Sequence, residues 1–215
     1  MPVGRKIRIA AMCLLVAGEW TAAQEVVDRI VARVDADIIL MSDVRTLAKY
    51  QTLLDEKPES DAQILDRLID QWIVRNEAKA SLFPQPSDAE VQRSLERLKR
   101  SFSSPEAFEE RQKQAGLSDE ELLRMLRSQL YLSNYLDSRF RASTHVEEQD
   151  VEEFYKTRVV PRAESRGQAP PTLDAARPFI QEALVQRAIN EQADRWLKES
   201  RGRLKVENLL DENGK

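Results

Sequence analysis

The chain has 215 residues, 41% of them hydrophobic and 33% charged, with 33 Lys and Arg against 37 Asp and Glu, one His and one Cys. A net charge of −4 with no basic block argues against nucleic acid as a partner, because phosphate binding draws on clustered Lys and Arg. One histidine and one cysteine are too few for a catalytic triad or a zinc site of paired ligands, so no cofactor, metal or active site is expected.

Residues 1–23 read as a secretory signal peptide. Arg5, Lys6 and Arg8 precede an apolar run at 9–17, and the small residues Thr21, Ala22 and Ala23 follow it. Cleavage is expected between Ala23 and Gln24. The run is shorter than the about 20 residues that cross a bilayer, and no later stretch is longer or more apolar, so no membrane span is expected. Cys13 lies in the segment to be removed, and Ala10-Ala11-Met12 before it is a poor lipoprotein box. Residues 1–23 hold three basic residues and one acidic, so the mature balance is 30 against 36, a net charge of −6.

Residues 26–34 read as a strand with Val26, Ile30, Ala32 and Val34 on one face and Arg29 and Arg33 on the other. Asp35-Ala36-Asp37 is the turn of a hairpin, although it lacks the glycine or asparagine usual there, and Ile38-Ile39-Leu40 returns. Ser42 is the expected cap of a helix to about Leu54. Capping boxes at Ser60–Gln63, Ser87–Glu90 and Ser118–Glu121 open three more helices. Ser104-Pro105 starts a short one that Gly116 stops.

The helix after Ser118 runs to about Ala142. Its apolar residues wrap around more than one face, which makes it central or gives it a second surface for a partner. A brief helix carries Val151, Phe154 and Tyr155. Residues 159–171, with Pro161, Gly167, Pro170 and Pro171, read as a linker between a module at 24–158 and a final helix and strand at 172–210. Thr172 begins that helix, and Pro178 either kinks its first turns or marks its regular start. Leu204-Lys205-Val206 reads as a closing strand and 211–215 as a disordered tail.

Several of these stretches, in this order, resemble the SurA family of periplasmic chaperones. They are the hairpin and helix start from Ile30-Val31-Ala32-Arg33-Val34 to Ser42-Asp43-Val44, the run Leu65-Asp66-Arg67-Leu68-Ile69-Asp70-Gln71-Trp72-Ile73, and Ser87-Asp88-Ala89-Glu90-Val91. Val146-Glu147-Glu148-Gln149-Asp150-Val151-Glu152-Glu153-Phe154-Tyr155 and Ala176-Arg177-Pro178-Phe179-Ile180-Gln181-Glu182-Ala183-Leu184 continue it. The resemblance covers nearly the whole mature chain apart from the linker. It implies a mainly α fold in which the C-terminal helix and strand pack back on the N-terminal helices and hairpin. Where that family carries parvulin prolyl isomerase domains, this chain has only the short segment 159–171, far below the roughly 50 residues of a small domain. Parvulin sites also use histidines, and His145 stands alone here.

The resemblance therefore implies an ATP-independent periplasmic chaperone for unfolded or extended polypeptides, outer-membrane proteins among them, and not an enzyme. An envelope adaptor with one fixed protein partner is the second reading, and a reduced prolyl isomerase the third. Met41, Met125, Tyr131 and Tyr135 are candidates to line a polypeptide-binding groove, because methionine adapts to varied partners and tyrosine offers an apolar face with a hydroxyl. The same residue types also serve as core, and the sequence leaves both uses open. His145 is expected to be an ordinary polar residue at a helix exit.

Overall fold

The structure is a computed structural model that describes residues 28–57 and 59–210. The expected signal peptide, its cut before Gln24 and the tail at 211–215 lie outside the described residues. The fold is mainly helical with a small antiparallel sheet, as the sequence pattern implies.

Strands β1 (Ile30–Val34) and β2 (Asp37–Leu40) form the hairpin, and β3 (Val206–Asn208) arrives from the chain end to pair with β1, giving the order β2-β1-β3. The closing strand lies two residues beyond its expected place. A bulge between Ile30 and Ala32 breaks the alternation, so Val31 and Ala32 are both buried. The turn manages without glycine because Asp35 adopts a φ of 51°, a region aspartate tolerates better than most residues. Lys205 holds it there. The Asp35 N–H donates to the Lys205 carbonyl at 2.9 Å, and the Asp35 carboxylate accepts from the Lys205 N–H at 3.0 Å.

Helix α1 (Met41–Leu53) starts before the expected cap. Ser42 lies inside it, and its N–H donates to Asp28 Oδ1 at 3.2 Å, while Asp43 Oδ2 accepts from the Leu40 N–H at 3.0 Å. Asp43 thus serves the helix start from three residues on, and Asp28 ties the first turn to the chain 14 residues upstream. The other starts follow the local signals. Ser60, Ser87 and Ser118 form reciprocal boxes with Gln63, Glu90 and Glu121 ahead of α2 (Asp61–Ala80), α3 (Asp88–Arg100) and α5 (Asp119–Phe140). Ser104 caps α4 (Pro105–Ala115), whose first residue is the proline.

Three of these helices end in the same way, with a residue in the left-handed region between two backbone hydrogen bonds that reach back to the last turn. At α4 that residue is Gly116, with φ 63°. At α1 it is Asp55, with φ 59°, and at α2 it is Leu82, with φ 53°. The Phe83 N–H reaches the Ala78 carbonyl at 2.9 Å and the Leu82 N–H reaches Lys79 at 3.0 Å, so Leu82 occupies a position where a side chain costs energy.

One core group joins Val31, Val34 and Ile39 of the hairpin to Val44 and Leu47 of α1 and Ile64, Leu65 and Ile69 of α2. α1 and α2 cover the hairpin, Leu204 and Leu210 of the chain end close its edge, and the final helix and strand pack back on α2, α5 and β1. A second group packs Tyr50 and Leu53 against Val91, Phe108, Leu122 and Leu126. Helix α5 touches α1, α2, α3 and the final helix, so its broad apolar surface makes it central.

After a 3₁₀ turn at Arg141–Ser143 comes α6 (Glu148–Phe154), and here the expected linker proves half helical. The chain continues through a π-helical turn, Tyr155–Val159, into α7 (Val160–Glu164). Proline at 161 lacks an N–H and crowds the carbonyl four residues back, which would break a regular α-helix. The wider turn accommodates it, with the Val160 N–H bonded to the Tyr155 carbonyl five residues back. Gly167, with φ 66°, ends this helical stretch.

Helix α8 (Leu173–Arg201), capped by Thr172, spans about 43 Å at 1.5 Å per residue and carries Pro178 in its interior. Its first half pairs with α6 through Val151, Ala176, Ile180 and Leu184, and its second half sets Trp196 and Leu197 on Val74, Tyr131 and Tyr135. Phe179 is 79% exposed although it adjoins the buried Ile180. The end of α8 is tied to α2 by Arg201, whose Nε donates to Asp70 Oδ1 at 2.7 Å and whose NH1 donates to Asp66 Oδ1 at 3.2 Å.

Candidate functional site

The four residues expected to line a groove do not meet in one. Met41 is 8% exposed among the hairpin, α1 and α2, and Met125 is half-buried where the first two core groups join. Tyr131 and Tyr135, 3% and 5% exposed, pack their rings on Phe83 with centroids 5.9 and 5.5 Å away. The Tyr131 hydroxyl donates to the Phe83 carbonyl at 3.4 Å, and the Tyr135 hydroxyl accepts from Arg139 at 3.1 Å. The groove assignment is therefore corrected. Met41 and the two tyrosines are core, because buried side chains with satisfied hydroxyls leave no surface to a ligand.

A wide opening lies in the segment that reads as a linker. A crevice of about 1010 Å³ runs between the π-helical turn, α7, the loop that follows and α8. Phe154, Val159, Pro161 and Pro171 give it apolar walls. Arg158, Arg162, Arg166 and Arg187 line it too, with Thr157, Ser165 and Gln168 as further polar groups. The loop is drawn back over the turn by the Tyr155 hydroxyl, which donates to the Pro171 carbonyl at 2.7 Å.

Among the described residues, no acidic side chain lines the crevice. Among the described residues, Arg158, Arg162 and Arg166 have no ion-pair partner, and Arg187 has a distant, exposed one in Glu191 at 3.7 Å. Asp150 and Glu153 belong to an adjoining recess of about 180 Å³ that shares Arg158 and Arg187. The arrangement offers planar forks of donors beside apolar surface, which suits carboxylates carried on a partly apolar ligand.

α6, the π-helical turn and α7 form an arm that packs on α8, and a charged cluster lies at its base. Arg141 donates to Asp137 at 2.7 Å and to Glu182 at 2.8 Å, joining the end of α5 to α8. The hydrogen bond from Arg141, then that from Gln186, holds the Glu182 carboxyl at about 2, well below its ordinary value. Asp137 is lowered chiefly by the same guanidinium.

Two other openings are smaller. One of about 430 Å³ is walled by Leu95, Phe108, Leu122 and Leu123, and one of about 360 Å³ lies between Trp72 and Trp196. His145 is exposed near Glu147, and the described residues hold no cluster of His, Cys, Asp and Glu fit for a metal ion.

Sequence reasoning passed over the crevice because prolines and a glycine marked its residues as irregular. The signal that was present is the spacing of Arg158, Arg162 and Arg166, four residues apart, which sets side chains on one side of a helix. No helix among the described residues is long and apolar enough to cross a membrane. No known protein family matches the chain, and no curated protein matches it.

Proposed function

We propose that the protein is an ATP-independent, chaperone-like binder of unfolded or extended polypeptides in a bacterial periplasm, with outer-membrane proteins among its clients and no catalytic activity. The observation that carries this reading is the crevice at the arm. It is open, about 1010 Å³ in volume, and mixes apolar walls with many hydrogen-bond donors. Pockets of roughly 300–1,000 Å³ hold ligands of drug size, and a crevice open to solvent admits a segment of a continuing chain. The basic-apolar-small order of residues 1–23 supports export, and the resemblance of the helical stretches to SurA supports the client class.

The test is light scattering of a denatured outer-membrane porin diluted into buffer. The full mature chain should delay aggregation at near-equimolar ratio and do the same for an unrelated unfolded protein. It should leave prolyl isomerisation of a test peptide at its uncatalysed time constant of tens to hundreds of seconds. Isolation of one protein at fixed stoichiometry, with no effect on either aggregating client, would favour an adaptor instead.

A further inference from the structure

We infer that the arm crevice selects acidic segments: its preferred occupant is an extended polypeptide stretch in which Asp or Glu alternates with apolar residues. The inference rests on the polypeptide-binding reading and names the chemistry that the site recognises. Among the described residues, four guanidiniums and no carboxylate line the crevice, in a protein whose net charge is −4. Between Phe154 and Gln168 the chain has four basic residues and a single acidic one, Glu164. This local excess of positive charge runs against the sign of the whole molecule.

Arg158 and Arg187 also face Asp150 and Glu153 in the adjoining recess, so part of their field is already answered. Arg162 and Arg166 line the crevice and not that recess, and are exposed, with no ion-pair partner among the described residues. They are the selecting pair. A guanidinium presents two parallel donors that match the two oxygens of a carboxylate, and Phe154, Val159 and Pro171 supply apolar contact for the side chains between. An extended chain sends alternate side chains to opposite sides, so carboxylates and apolar groups in alternation reach different walls. Nucleic acid and anionic membrane fit less well, because four arginines set in an acidic protein make a small electrostatic footprint for a polyanion.

The experiment measures anisotropy of two fluorescein-labelled dodecapeptides, one alternating Asp with Leu and Phe, the other identical but with Lys for Asp. Both are titrated with the full mature chain, its R162E/R166E variant and its R162Q/R166Q variant. The wild type should bind the acidic peptide roughly tenfold more tightly than the basic one, from two exposed charge contacts, and the gap should narrow in about 0.5 M salt. R162Q/R166Q should abolish the preference and R162E/R166E should reverse it, with unchanged circular dichroism spectra. Equal binding of both peptides, or a preference that survives R162E/R166E, overturns the inference. So does tighter binding of phosphatidylglycerol vesicles or of a single-stranded oligonucleotide than of the acidic peptide. Porin aggregation suppressed without any acidic preference would sink the selectivity alone. Acidic preference without suppression would leave the selectivity standing and remove the chaperone reading.

Discussion

Deleting residues 172–215 takes away α8 and β3 together, and the remaining helices and hairpin are expected to lose their cooperative fold. The half of α8 that faces α2 and α5 buries Ile189 and Ala193 and sets Trp196 and Leu197 on the tyrosine group, while Leu204 and Leu210 close the edge of the hairpin core. Full burial of a large apolar side chain contributes about 1.5–3 kcal/mol, and the four partly buried ones count for about half of that each, so the loss is about 5–9 kcal/mol. Backbone bonds from Leu209 to Val31 and from Asp35 to Lys205 add about 1 kcal/mol each. Arg201 adds little, because its ion pairs with Asp66 and Asp70 are about one-third exposed or more. The sum matches a typical net stability of about 5–15 kcal/mol. Thermal melts followed by near- and far-ultraviolet circular dichroism would compare residues 24–171 with 24–215. If the shorter chain melts cooperatively within about 5 °C of the longer, the two ends are energetically separate and the closure argued from α8 and β3 is wrong.

Leu82→Gly should raise stability by about 1 kcal/mol in urea titration, because Leu82 is 90% exposed and holds a φ of 53° that glycine adopts freely; a lower midpoint would show that the leucine makes a contact worth more than the strain. The Glu182 carboxyl is lowered from 4.5 to about 2 in the folded protein, so in that window the unfolded chain binds more protons, and this group's contribution is present above about 4.5 and lost as pH falls toward 2. Glu182→Gln should therefore flatten the acid limb of a stability-against-pH curve, and an unchanged limb would refute the role of the Arg141 pair. Exported protein should begin at Gln24, and N-terminal sequencing of envelope material that finds Met1 would sink the signal-peptide reading.

The arginine crevice was legible in part. The four-residue spacing of Arg158, Arg162 and Arg166 is written in the chain, but it gains meaning only once residues 155–164 are known to be helical. Pro161 argued against that, and the π-helical turn that absorbs it leaves no signature in a single sequence. The opposite error concerned Met41, Tyr131 and Tyr135. Their chemistry suits a groove and a core equally, and burial alone separates the two.

The sequence by itself determined the features whose partners lie within one turn of chain. Ser60, Ser87, Ser118 and Thr172 cap the helices they precede, Gly116 stops α4, and the apolar spacing of α2 marks its buried side. Each of these depends on contacts three or four residues apart, so local order suffices to specify it. Only the tertiary structure decided that Asp28 holds the first turn of α1, how Lys205 stabilises a turn without glycine, which helices cover the hairpin, and that Phe179 faces solvent. In each case the deciding group comes from a distant part of the chain or is displaced by one. Side-chain periodicity records which residues avoid water, but the partner they avoid it with is fixed by packing.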